Sequence, residues 1–165
     1  MPTGGIGTNN MKSYLDFDKI IAIGGSWMVK TDMISAGQFD KIRDLTREAV
    51  QTMLGFEVRH VGINCNTEDE ANQVADRFDN VFGFTKKDGN SSIFAGTGVE
   101  VMKSPFLGAH GHIAIGTNYA DRALNYLEMQ GFKFDMSTAK YKNGKLIAVY
   151  MAEEIGGFAV HLLQK

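Results

Sequence analysis

With 165 residues, 17 basic and 19 acidic side chains and a formal charge of -2, the chain has room for one ordinary domain plus an attachment but not for two full-sized domains. The charges are interleaved and no apolar run approaches the ~20 residues of a membrane span, so neither nucleic acid nor a membrane is expected as a partner. A single cysteine, Cys65, rules out an internal disulfide, and with no charged-then-apolar leader it implies a reducing, cytoplasmic setting.

In chain order, the first 55 residues read as loop, helix, strand, loop and helix. The opening "MPTGGIG" is a loop of the kind that follows a strand. In "IIAIGGSW" a four-residue apolar run ends in Gly24, Gly25 and Ser26, which predicts a fully buried strand feeding a glycine-rich turn. From Phe39 the apolar positions Ile42, Leu45, Ala49, Val50 and Met53 recur at helical spacing, and Gly55 supplies a stop.

From Glu57 onward the chain repeats itself with an offset of 52 residues, His60-Val61-Gly62-Ile63 matching His112-Ile113-Ala114-Ile115. Asn66, Asp69 and Ala71 match Asn118, Asp121 and Ala123 in the same frame. Each copy continues into a helical stretch that ends at glycine followed by phenylalanine, and then into three strand candidates. These are "FTKK", "SSIFAG" and "GVEVMK" in the first copy, and "FKFDMS", "KLIAVYM" and "GFAVHLLQ" in the second. Asp88-Gly89 and Asn143-Gly144 mark hairpin turns, so the unit is β-α-β-β-β, twice.

Counting in twos along these strands sorts their faces. Val61 and Ile63, Ile113 and Ile115, Val99 and Val101, and Val160 and Leu162 share faces suited to packing on helices. His60, Glu100, His112 and His161 all lie on the opposite faces, mostly beside small residues, as if lining a cavity between two modules whose sheets curl around a shared cleft. Three imidazoles and one carboxylate suit zinc, nickel, manganese or iron, with Zn–N distances of roughly 2.0–2.1 Å. The alternative, that they are four separate strand-end groups facing water, stays open at this level. His110 falls in the preceding turn at odd spacing and reads as a loop residue that at most supports a ligand.

At these positions residues 56–165 resemble the glyoxalase or vicinal oxygen chelate family, with "GHIAIGT" the most specific stretch. The resemblance implies an α+β fold of paired βαβββ modules whose metal ligands come from the first and last strand of each module. His60, Glu100 and His112 match the family's ligand order, whereas His161 stands where glutamate is usual. In glyoxalase I a glutamate ligand also moves the substrate proton, so the resemblance makes Glu100 the candidate catalytic base. Residues 1–55 resemble the end of a different family, the 2-keto-3-deoxy-6-phosphogluconate (KDPG) and 4-hydroxy-2-oxoglutarate aldolases, which are (β/α)₈ barrels. "MPTGGIG" is similar to the loop after that family's seventh strand, and "IAIGGSWMV" to its eighth strand and loop, followed by the last helix. By position the resemblance assigns Thr3, Gly4, Gly5, Gly24, Gly25 and Ser26 as phosphate contacts. The family's Schiff-base lysine lies on the sixth strand, with no counterpart here, so aldolase (lyase) activity is not expected of these residues alone.

Together the resemblances imply a fused protein of carbohydrate metabolism. Its glyoxalase-like domain is expected to act on or bind a small 2-oxo or 2-hydroxy acid, or a phosphorylated sugar acid, through a divalent metal. A non-catalytic ligand-binding or dimerisation module of the aldolase is the alternative. A homodimer is expected, because a lone strand and two helices bury too little apolar surface to stay ordered.

Overall fold

In the computed structural model, which describes residues 1–165, the chain divides into two units, Met1–Gly55 and Phe56–Lys165. The first holds the short helices α1 (Met11–Leu15) and α2 (Thr31–Ser35), a 3₁₀ turn at Ser26–Met28, and the long helix α3 (Phe39–Leu54). The last follows the spacing read from its apolar positions and stops where the left-handed Gly55, at φ 57° and ψ 47°, turns the chain. Ile6, Met11 and Ala49 form the core of this unit, with Ile23, Trp27, Met28 and Met53 packed on it.

The buried strand expected at Ile20–Ile23 is not formed. The segment makes one isolated parallel bridge, Thr3 with Gly24, supported by the Gly24 N–H donating to the Pro2 carbonyl at 3.0 Å, and Ile21 is 84% exposed. A ladder needs pairing along its whole length, and here the bridge to the opening loop is a single isolated one.

The second unit is one eight-stranded sheet. Its first module is β1 (Glu57–Asn64), α4 (Glu68–Phe82), β2 (Lys86–Asp88), β3 (Ser92–Ala95) and β4 (Val99–Met102). The second module repeats the order with β5 (His112–Thr117), α5 (Ala120–Met129), β6 (Phe134–Lys142), β7 (Lys145–Met151) and β8 (Ala159–Gln164). The strand order is β2-β3-β4-β1-β5-β8-β7-β6. Strands β1 and β5 pair antiparallel at the seam, and each has its own module's last strand parallel on its outer side. This is the α+β arrangement of paired βαβββ modules.

Local chemistry explains the elements. Thr67 caps α4 by accepting from the Glu70 N–H at 3.1 Å, and Gly83 ends it in the left-handed region at φ 69°. Asn143 and Gly144 take φ values of 52° and 74°, the two positive angles of a tight hairpin turn between β6 and β7. On the helix side of the sheet Ile93 and Val101 are fully buried against Ala71 and Ala75 of α4, with Val74 and Val99 beside them. That leaves the other face of the central strands for polar groups.

Candidate metal centre

The register turns that face into a checkerboard. Glu100, Gly62, His112 and Ala159 are neighbours across β4, β1, β5 and β8, and on the next row His60, Ala114 and His161 are neighbours across β1, β5 and β8. Each large polar side chain therefore has a small residue beside it, over which its ring can lean. The case is sharpest at Gly62, where a Cβ would fall inside the His112 ring.

All four residues singled out on strand faces meet at one place. His60 Nε2 and His112 Nε2 are 3.2 Å apart, and Glu100 Oε2 is 3.1 Å from each of them. The three imidazoles sit at the corners of a near-equilateral triangle, with centroids 5.3, 5.5 and 5.6 Å apart, and one ligating atom from each lies within 4.8 Å of the others. All three rings are buried. The His161 Nδ1–H donates to the Leu162 carbonyl at 3.2 Å, which fixes the tautomer and leaves Nε2 with its lone pair.

Electrostatics follow from this enclosure. Burial pushes the Glu100 carboxyl up, but hydrogen bonds from His112, His60 and Ser92 outweigh it and hold the group well below the usual carboxylate range. Ser92 Oγ donates to Glu100 Oε1 at 2.6 Å. Burial, reinforced by the two other imidazoles, lowers His161 to about 4, so its ring is neutral at pH 7. Burial and then the Glu100 charge raise the Tyr150 phenol to about 12.

The donor set fits a divalent ion. Atoms bound ~2.0–2.2 Å from one ion lie about 3–3.5 Å apart, the spacing found among Glu100, His60 and His112. Protons serve the cluster poorly, because His112 Nδ1 is buried without a hydrogen-bond partner. With the proton on either ring nitrogen of His112, that Nδ1 is an unmatched donor or an unmatched acceptor.

Three residues of this face went unremarked in the sequence. Phe94 stands edge-on to His60 with centroids 5.5 Å apart, Tyr150 lies against His161 at 4.6 Å, and Ser92 holds Glu100. Phe94 and His60 are two strands apart, as are Tyr150 and His112, whose rings are 6.3 Å apart. On a flat sheet strands two apart are separated by roughly 10 Å, so the face is concave. An aromatic residue in the third strand of each copy was the available signal. His110 lies outside the cluster: its ring is exposed, packs on Phe158 at 5.6 Å and crowds Gly157.

In the first unit the Thr3–Gly24 bridge brings the two glycine-rich loops together, and Gly4 and Gly5 adopt φ values of 83° and 65°. A Cβ at Gly25 would lie 2.9 Å from the Trp27 ring, so the turn into Ser26 needs glycine.

Residues 1–45 match the KDPG and KHG aldolase family. This segment is similar to the KHG/KDPG aldolase of Escherichia coli K12, with 48% identity over 50 residues, 30% of this chain and 24% of that protein. The 2-dehydro-3-deoxy-phosphogluconate aldolase of Dickeya dadantii is 45% identical over 49 residues, again 30% of this chain and 23% of the relative. The chain thus spans about a quarter of the length of the curated relatives it matches. Solved structures similar to the chain include methylmalonyl-CoA epimerases of Streptomyces coelicolor and Mycobacterium tuberculosis. The first has a TM-score of 0.47 and 14% identity over 66% of this chain and 94% of that one; the second, 0.45 and 13% over 68% and 89%. The aldolase-like segment is followed by a unit of paired βαβββ modules, as its own strand order and register show. No helix is long and apolar enough to cross a membrane.

Proposed function

We propose that residues 56–165 form a divalent-metal-binding, glyoxalase-like domain that takes a small 2-oxo or 2-hydroxy acid through two adjacent oxygens. The observation that carries this reading is the meeting of His60, His112, His161 and Glu100, contributed by both modules, on one concave face. These four would hold zinc, nickel, manganese or iron. A bound ion would polarise the two oxygens and stabilise negative charge developing on them. The protein's own residues prepare for that: His161 is kept neutral and correctly protonated, and Glu100 is kept ionised.

Element-resolved metal analysis of the purified chain tests the reading, with circular dichroism as the control for folding. We expect near-stoichiometric metal in the parent and in His110→Ala, and a loss of at least about 100-fold in affinity in His112→Ala with the fold retained. No metal in the parent, or equal loss in both variants, would mean that the cluster is a buried polar network and nothing more.

A second reading, a non-catalytic ligand-binding module joined to an aldolase, is favoured by the state of Glu100. A carboxylate that accepts from three side chains and lies far below its usual range is a good ligand and a weak base. Exchange of the proton beside the keto group of a 2-oxo acid into D₂O, followed by NMR, separates the two: catalysis requires exchange that Glu100→Gln abolishes. For the first unit we propose that Thr3, Gly4, Gly5, Gly24, Gly25 and Ser26 form a phosphate-contacting turn and that the chain is a homodimer, which solution scattering tests. The joined loops and the exposed Ile21 support these readings.

A further inference from the structure

The concave face continues past the metal cluster into the first module. Lys87, Phe94 and Glu100 are direct neighbours across β2, β3 and β4, so the row that holds Glu100 and His112 extends outward to a lysine. Beside it lies a cavity of about 410 Å³ lined by Lys87, Asp88, Ser92 and Phe94 among others. Ser92 and Phe94 are the residues that touch Glu100 and His60, so the cavity and the cluster share a wall.

The charged groups around this cavity are mostly paired: Lys103 is shared between Glu68 at 2.7 Å and Asp88 at 3.0 Å, and Lys86 is paired with Asp76 at 2.7 Å. Lys87 is exposed, and its ammonium group has no hydrogen bond or ion pair within the chain. The matching position of the second module is reversed in sign: Asp135, Tyr150 and His161 are neighbours across β6, β7 and β8, where the first module has Lys87, Phe94 and Glu100. The rows through the cluster therefore end in Lys87 on the first module and in Asp135 on the second, where Lys140 stands opposite Ala148 one row further on.

Resting on the metal-binding reading above, we infer that the substrate is a 2-oxo or 2-hydroxy acid with a second anionic group, a carboxylate or a phosphate, which Lys87 binds in the cavity over β2 and β3. Glu100 lies two strands from Lys87, roughly 10 Å along the sheet, and a lysine side chain leans back across part of that gap. A ligand held at the cluster by its 2-oxo acid end thus needs only a few further atoms to reach the ammonium group.

The test is calorimetric binding of 2-oxoglutarate, 3-phosphohydroxypyruvate and 2-oxobutyrate to the zinc-loaded full chain, with zinc stoichiometry measured in parallel. At least one of the two ligands with a second anionic group should bind about tenfold or more tightly than the monoanion 2-oxobutyrate. Which of them does so distinguishes a carboxylate from a phosphate. Lys87→Gln should remove that preference and leave zinc stoichiometry unchanged, and Lys87→Arg should restore most of it. Full zinc occupancy with no preference for either doubly functionalised acid over 2-oxobutyrate, or with a preference that survives in Lys87→Gln, overturns the inference and leaves metal binding standing. A chain that takes up none of zinc, nickel, manganese and iron overturns both.

Discussion

The two modules of the second unit share a backbone plan and differ in what they place on it. Glu100 of the first corresponds to His161 of the second, Ser92 to Ala148, and Phe94 to Tyr150, as the registers of β3 on β4 and of β7 on β8 show. The differences are coupled. A carboxylate needs a donor for its second oxygen, and Ser92 supplies one at 2.6 Å. An imidazole finds its partner on its own strand, at the Leu162 carbonyl, so the facing residue is free to be alanine. The modules share their order of elements while differing in length, β2 having 3 residues and β6 9, and on the face that carries the chemistry they differ in the coupled way just described.

The largest expected effect sharpening this comparison is in pH dependence, measured by denaturant unfolding of metal-free protein. His161 falls from about 6.5 unfolded to about 4 folded, so between those values the unfolded chain binds the extra proton. Stability is therefore full above pH 6.5 and is lost as the pH falls toward 4, by up to about 3 kcal/mol. Glu100, held below its unfolded value, contributes stability present above the ordinary carboxylate range and lost only under more acidic conditions. The contribution of His161 should thus be lost at higher pH than that of Glu100. A His161→Gln variant that keeps the whole loss between pH 6.5 and 4 would break this assignment.

Next comes the pair Gly62 and Ala114, equivalent by the 52-residue offset. Gly62→Ala would drive a methyl group into the His112 ring and should cost about 2 kcal/mol, together with most of the metal affinity. Ala114→Gly, which only removes a methyl group and loosens the chain, should cost about 1 kcal/mol and leave metal binding in place. Unfolding midpoints of the two variants decide whether the modules differ here as described.

The smallest effect is at Ser92 and Ala148. Ser92→Ala removes the hydrogen bond to Glu100 and should cost about 1 kcal/mol. Ala148→Ser, in the module whose ligand has its own backbone partner, should change stability by less than about 0.5 kcal/mol. Equal changes at both positions would show that Ser92 is not tuned to the carboxylate.

The sequence by itself determined the local matters. Period-two alternation assigned His60, Glu100, His112 and His161 to faces, because a strand side chain has only two directions to point. The repeat, the helix α3 and the Asn143-Gly144 turn were legible for the same reason: spacing and positive φ are properties of adjacent residues. Tertiary structure decided everything that depends on which strands lie side by side. Ser92, Phe94, Tyr150 and Lys87 joined the face only through the register of hairpins, which no single segment encodes. The same reason explains Ile20–Ile23, whose apolar run was visible and whose strand was not formed: a strand exists through a continuous ladder, and the bridge that follows this run, between Thr3 and Gly24, is an isolated one.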